Sequence, residues 1–156
     1  MRRVVRVGLI ALAAIQWITG LWMQYLPESF YNDFPTVSLT PPFSEHLMRD
    51  FGGASIGLAV VVTAAAIWME SRLTAVALVA YLAYSVPHLV FHLSHLHDAT
   101  PGDVTFIVLS LGGSVVLPAA VLALALLDAR RRRAPGPSRG PAPDHTLDPA
   151  FRKLRT

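Results

Sequence analysis

Four long apolar runs alternate with short polar segments along this chain: Val4–Leu26, Glu45–Met69, Leu73–His95 and Val104–Leu127. Each matches the length of about 20 residues that a helix needs to cross the hydrocarbon of a bilayer. The pattern predicts an all-α fold: a four-transmembrane-helix bundle of up-down topology over residues 1–129. Residues 130–156 are rich in Pro, Gly, Ser and Arg and have little to bury, which predicts a disordered basic tail.

The breaks between runs carry their own signals. Pro27 to Phe43 is the longest polar segment between spans, with four prolines and no Lys or Arg. It reads as an irregular loop folded over the bundle mouth, with a short interfacial helix at Glu28–Asp33. Pro41-Pro42 blocks helix before the second span, and Ser44 is its expected N-cap. Glu70-Ser71-Arg72 is short enough to require antiparallel neighbours. Asp98–Asp103 is a turn by composition. Pro87 lies inside the third span and predicts a kink beside His88. In the second span, Gly53-x-x-x-Gly57 has the small-residue spacing that lets membrane helices approach. In the first, Gln16, Gly20 and Met23 share a face that suits an inward orientation, and Trp22 and Tyr25 suit an interfacial belt.

Composition agrees with the pattern. Of 156 residues, 53% are hydrophobic. There is no cysteine, which removes disulfides, thiolate metal sites and thiol redox chemistry. Arginine outnumbers lysine twelve to one, a bias expected of GC-rich bacterial coding sequence. The N-terminal run is long for a signal core and lacks an Ala-x-Ala site, so it reads as an uncleaved first helix.

Charge sets the expected orientation. In a four-span arrangement Arg2, Arg3, Arg6, Arg72 and Arg130–Arg133 fall on one side. The other side carries Glu28, Asp33, Asp98 and Asp103, with Arg49 its only basic residue. The positive-inside rule then places both termini in the cytoplasm of a bacterial inner membrane. Arg130, Arg131, Arg132 and Arg133 are expected to meet anionic lipid head groups, and no folded basic surface points to nucleic acid.

Histidine supplies the candidate chemistry. His88, His92 and His95 follow i, i+4 and i+7 and share one helix face, whereas His97 points away. Polar groups at membrane depth are costly and mark function more often than chance. Under the orientation above, Glu45, His46, Arg49 and Asp50 lie in the same outer half, while the inner half is almost purely Ala, Val, Leu and Ile. Glu45 with Arg49, and His46 with Asp50, can pair at i, i+4. Arg49 cannot shed its proton and needs an anion, water or the interface, the candidate anions being Glu45, Asp50, Asp103 or a ligand.

The candidate ligand-binding set is therefore Glu45, His46, Arg49, Asp50, His88, His92 and His95. The candidate metal set within it is His46, His88 and His92. Imidazole suits a transition metal or haem, and two-histidine haem needs ligands facing across the bundle, as His46 against His92. A quinone polarised by His and Arg is the second reading, in a redox subunit. A structural or partner-binding subunit, as a homo-oligomer or beside another membrane protein, is the third. The plain alternative for each group is local: charges solvating a helix end, and histidines bonding between helices. No nucleophile-elbow motif is present, and enzymatic activity is not expected.

Glu45-His46-Leu47-Met48-Arg49-Asp50 and Pro87-His88-Leu89-Val90-Phe91-His92 resemble the E-H-L-x-R-D and P-H-x-x-x-H segments of small uncharacterised bacterial four-helix integral membrane proteins. The resemblance covers about Val4 to Leu127. It implies the four-helix fold and carries no assigned activity or catalytic residue. In span count and size the chain is also loosely similar to DoxX-like proteins, which implies respiratory or redox partners for some members.

Overall fold

The computed structural model describes residues 1–39 and 42–133, and no strand occurs among them. Helix α1 spans Arg2–Tyr25, the short α2 Pro27–Asp33, α3 Glu45–Trp68, α4 Ser71–Leu93 and α5 Pro101–Arg133, with a 3-10 turn at Val37–Leu39. Four of these, α1, α3, α4 and α5, are long and apolar enough to cross a membrane. The apolar runs thus fold as the pattern requires. Arg133 is helical, so α5 carries on through the arginine run. The expected tail from residue 134 onward, and Pro41, lie outside the described residues.

The helix ends follow local chemistry. Ser44 caps α3, its hydroxyl accepting from the Leu47 N–H. Pro27 opens α2 at the first-turn position, where a missing N–H costs nothing. Glu70 caps α4, its carboxylate accepting from the N–H groups of Arg72 and Leu73. These two bonds hold the exposed carboxyl below its ordinary pKa, the Leu73 bond contributing most. Met69 closes α3 in the left-handed region at φ 52°.

The four long helices form a ring in the order α3, α1, α5, α4. The extensive contacts are α1 with α3 and α4 with α5; the seams α1–α5 and α3–α4 are slighter. At the arginine-bearing end all four contribute to one core: Val5, Leu9 and Leu12 of α1, Val62 and Ala65 of α3, Leu78 and Tyr81 of α4, and Val121 of α5. Polar groups enter this half too. Gln16, Thr74 and Tyr81 are buried, and Trp17 donates to the Thr63 hydroxyl across α1–α3 at 3.1 Å. The expectation of an almost purely aliphatic inner half is qualified there.

The opposite end is closed by the loop segment. Phe30 of α2 is buried with Met23 and Met48. Trp22, Phe30 and Phe34 pack edge to face or stacked, and Phe34 reaches Phe106 on α5 at 6.0 Å. The Trp22 indole donates to Ser29, which donates to Asp33. The segment therefore does fold over the bundle mouth. A seven-residue helix has too few internal bonds to persist alone, so this aromatic packing stabilises it.

One expected helix contact shifts register. Gly53 is exposed and Gly57 has open space where a Cβ would stand. Gly52 instead makes the close approach: a Cβ there would meet the Gln24 backbone nitrogen at 2.6 Å and the Gly20 carbonyl at 2.9 Å. The reason is phase. Met48, Gly52, Ser55, Ala59, Val62 and Ala66 form the buried stripe of α3, which Gly53 and Gly57 miss by about 100° or more.

Candidate functional site

The E-H-L-x-R-D segment forms the first turns of α3 and divides between two neighbours. Arg49 turns toward α1. Its guanidinium donates to the Gln24 backbone carbonyl and pairs with Glu45 at 2.8 Å. Gln24 lies in the last turn of α1, where carbonyls lack helical partners. Arg49 thus satisfies an orphaned carbonyl and holds the start of α3 against the end of α1. Of the anions expected for it, Glu45 serves. Asp103 does not: it forms a capping box with Thr100, accepting from the Thr100 N–H and hydroxyl at 2.9 and 2.7 Å.

His46 pairs with Asp50 at 3.3 Å, and its side chain is 89% exposed. Asp50 also lines a cleft between α3 and α4. The cleft has a volume of 510 Å³, with Leu47, Phe51, Ala54, Ser55 and Leu58 on the α3 wall and Ala80 and Tyr84 on the α4 wall. Phe51, Leu47, Ala54 and Ala80 are exposed, so the cleft opens on the outer perimeter of the bundle.

Along α4 the rings form a ladder that starts at this cleft. Phe51 stands 6.0 Å from Tyr84 and 6.4 Å from His88. Tyr84 and His88 are stacked at 5.4 Å, and His88 meets His92 edge to face at 4.7 Å. This follows from spacing: residues 84, 88 and 92 repeat every four positions on one helix face. Neither imidazole makes a hydrogen bond or ion pair with any described residue, and neither does the Tyr84 hydroxyl. One turn away, the Ser85 hydroxyl is fully buried and has no partner.

His95 leaves the set. The third span was expected to reach it, but α4 stops at Leu93 and the chain turns. Ser94 donates to the Phe91 carbonyl, and the His95 Nδ1 lies 2.8 Å from that same carbonyl. The His95 ring stacks on Phe91 at 4.2 Å. These contacts close the helix end. Pro87 leaves the Ala83 carbonyl without its helical donor, yet α4 runs as one helix from Ser71 to Leu93.

The seven candidate residues therefore separate into four groups. Glu45 and Arg49 tie α3 to α1. Asp50, with His46 beside it, borders the cleft. His88 and His92 continue the cleft's aromatic wall, and His95 caps α4. Among the described residues no three His, Asp or Glu side chains gather as a metal would require. His88 and His92, four apart on one helix, cannot ligate opposite faces of a haem. Phe51, Ser55 and Tyr84 were not singled out as site residues from sequence. Tyr84 carried a usable signal, one helical turn before His88.

The chain matches no family model, no curated protein and no solved structure.

Proposed function

We propose that this chain is a multi-pass, non-enzymatic membrane protein that binds a small membrane-soluble ligand in the α3–α4 cleft. His88 and His92 supply hydrogen bonds to the ligand's polar head, and Phe51 and Tyr84 supply its flat apolar walls. One observation carries the reading: His88, inside a membrane-spanning helix, and His92, in that helix's last turn, have no hydrogen-bond partner among the described residues. Polar groups at that depth are costly unless something satisfies them. Interhelical bonding, the structural alternative, would have left such bonds visible.

A quinone is the second reading. The walls favour it: aromatic rings on both sides suit a planar ring, and an imidazole can donate to a quinone carbonyl. The arginine-rich end faces the cytoplasm of a bacterial inner membrane by the positive-inside rule.

The test uses decylubiquinone as probe on detergent-purified protein, read by tryptophan and tyrosine fluorescence quenching, with an absorption spectrum of the same preparation. Saturable quenching is expected in the native chain. It is expected to weaken at least tenfold when His88 and His92 are both replaced by Leu, with the melting midpoint within about 2 °C of native. A double variant that fails to fold would show that the histidines knit the bundle together. Quenching that survives in a folded double variant removes them from the site. A Soret band lost in His92→Ala would replace this ligand with haem.

A further inference from the structure

A second cavity lies at the arginine-bearing end, far from the cleft along the helices. It has a volume of 80 Å³ and is open on one side. It is built where α1 starts, α3 ends, α4 starts and α5 ends. Its polar lining is Arg2, Ser71, Thr74, Asp128 and Arg132. We infer that this cavity is a binding site for a phosphate oxyanion.

Four features of the lining support the assignment. Thr74 is 3% exposed, and its hydroxyl has no hydrogen-bond partner among the described residues. It lines the cavity, so its hydroxyl can donate to an anion bound there. Arg2 makes no ion pair or hydrogen bond with a described residue. Asp128 is the one anion of the lining, and Arg132 pairs with it at 2.9 Å, so the lining keeps one uncompensated positive charge. Glu70 does not compete for the cavity, because its two oxygens are engaged by the Arg72 and Leu73 N–H groups.

The donor set is a guanidinium and two hydroxyls, the Ser71 hydroxyl being the second. Guanidinium and hydroxyl donors suit the several acceptor oxygens of a phosphate. Size narrows the ligand. The cavity has room for about two or three waters or one phosphate-sized group, not for a nucleotide base or a whole head group. The phosphate comes from one of two sources: a phospholipid head group at the membrane surface, or free phosphate.

The experiment measures the tryptophan-fluorescence melting midpoint of the delipidated full chain in uncharged detergent at constant ionic strength. Dioleoylphosphatidylglycerol and inorganic phosphate are added separately. A rise of about 3 °C or more at saturation is expected with at least one of them. A rise with the lipid alone identifies the head group as source; a rise with inorganic phosphate identifies the free anion. The rise should fall by half or more in Arg2→Gln and in the isosteric Thr74→Val. It should persist in Arg3→Gln, which removes an equal charge that does not line the cavity. Absence of any rise, or an equal rise in all four proteins, overturns the assignment.

Discussion

The two seams of α3 are built on opposite terms. Toward α1 the backbones touch: Gly52 leaves no room for a methyl group against Gln24 and Gly20. Two polar groups there are partnered, Trp17 with Thr63 and Arg49 with Gln24 and Glu45. Toward α4 the helices stand apart around a 510 Å³ cleft. There Tyr84, His88 and His92 make ring contacts only, and the Ser85 hydroxyl beside them has no partner. Closeness and polar satisfaction go together on the first seam, and both are missing on the second. The open seam is the one that the proposed ligand would occupy.

The largest expected effect breaks the closed seam. Gly52→Val puts side-chain atoms where backbone already sits, and should cost about 3 kcal/mol or more. The check is unfolding in mixed micelles, where the melting midpoint should drop steeply. Next comes Arg49→Met, which keeps the stem but abandons the Gln24 carbonyl. A loss of about 1 kcal/mol is expected, read the same way. A native-like midpoint would show that the guanidinium only solvates the helix end. Smaller and opposite in sign is Gly57→Ala. Its Cβ meets nothing within 4 Å, so the helix should gain about 0.5 kcal/mol from the lost backbone freedom of glycine. A destabilised Gly57→Ala would mean that this face is covered by another copy or partner.

The smallest effect lies outside both seams and serves as their control. The Glu70 cap holds its carboxyl below the ordinary value of 4.5. A carboxylate with a depressed folded pKa stabilises above its unfolded pKa and loses that contribution as pH falls through the folded one. Hydrogen exchange at the Arg72 and Leu73 amides should therefore speed up below about pH 4.5, beyond the intrinsic pH trend. The same window should leave the midpoint shift of Gly52→Val unchanged. Glu70→Gln should remove the pH dependence at those amides. Orientation has its own check: a cysteine at position 33 should react with an impermeant thiol reagent from outside the cell.

The fold was legible because its signal is redundant. Each span repeats the same apolar message over more than 20 residues, and the cap at Ser44 announces itself by residue type, whereas the Glu70 cap does not, because glutamate is not a usual N-cap residue. The site was legible only in part. The i, i+4 pairs Glu45–Arg49 and His46–Asp50 follow from helix geometry, as do the ring contacts along residues 84, 88 and 92. Which neighbour each pair meets does not. Arg49 meets Glu45, one of the anions expected for it, and also a backbone carbonyl on α1, a partner with no side-chain signature. His95 fell outside because a helix end shifted by two residues, which periodicity does not resolve. Gly52 and Gly53 are adjacent glycines, and only the rotation of α3 about its axis decides which one touches α1.

Met69, in its left-handed turn, joins two halves that the packing keeps distinct. On one side lie α1 and α3, on the other α4 and α5, and each pair is packed more extensively than the seams between them. Met69 and Glu70 are the chain's only link between the pairs. The shared four-helix core lies at this same end, and the cleft lies toward the other. The arrangement is that of a clothes peg, with its spring at the arginine end and its jaws at the histidines. A helix of 24 residues is about 36 Å long, so a change of about 5° at Met69 would move the far ends by about 3 Å. That displacement is comparable with the thickness of an aromatic ring, so the angle at Met69 bears on the width of the cleft at the far end.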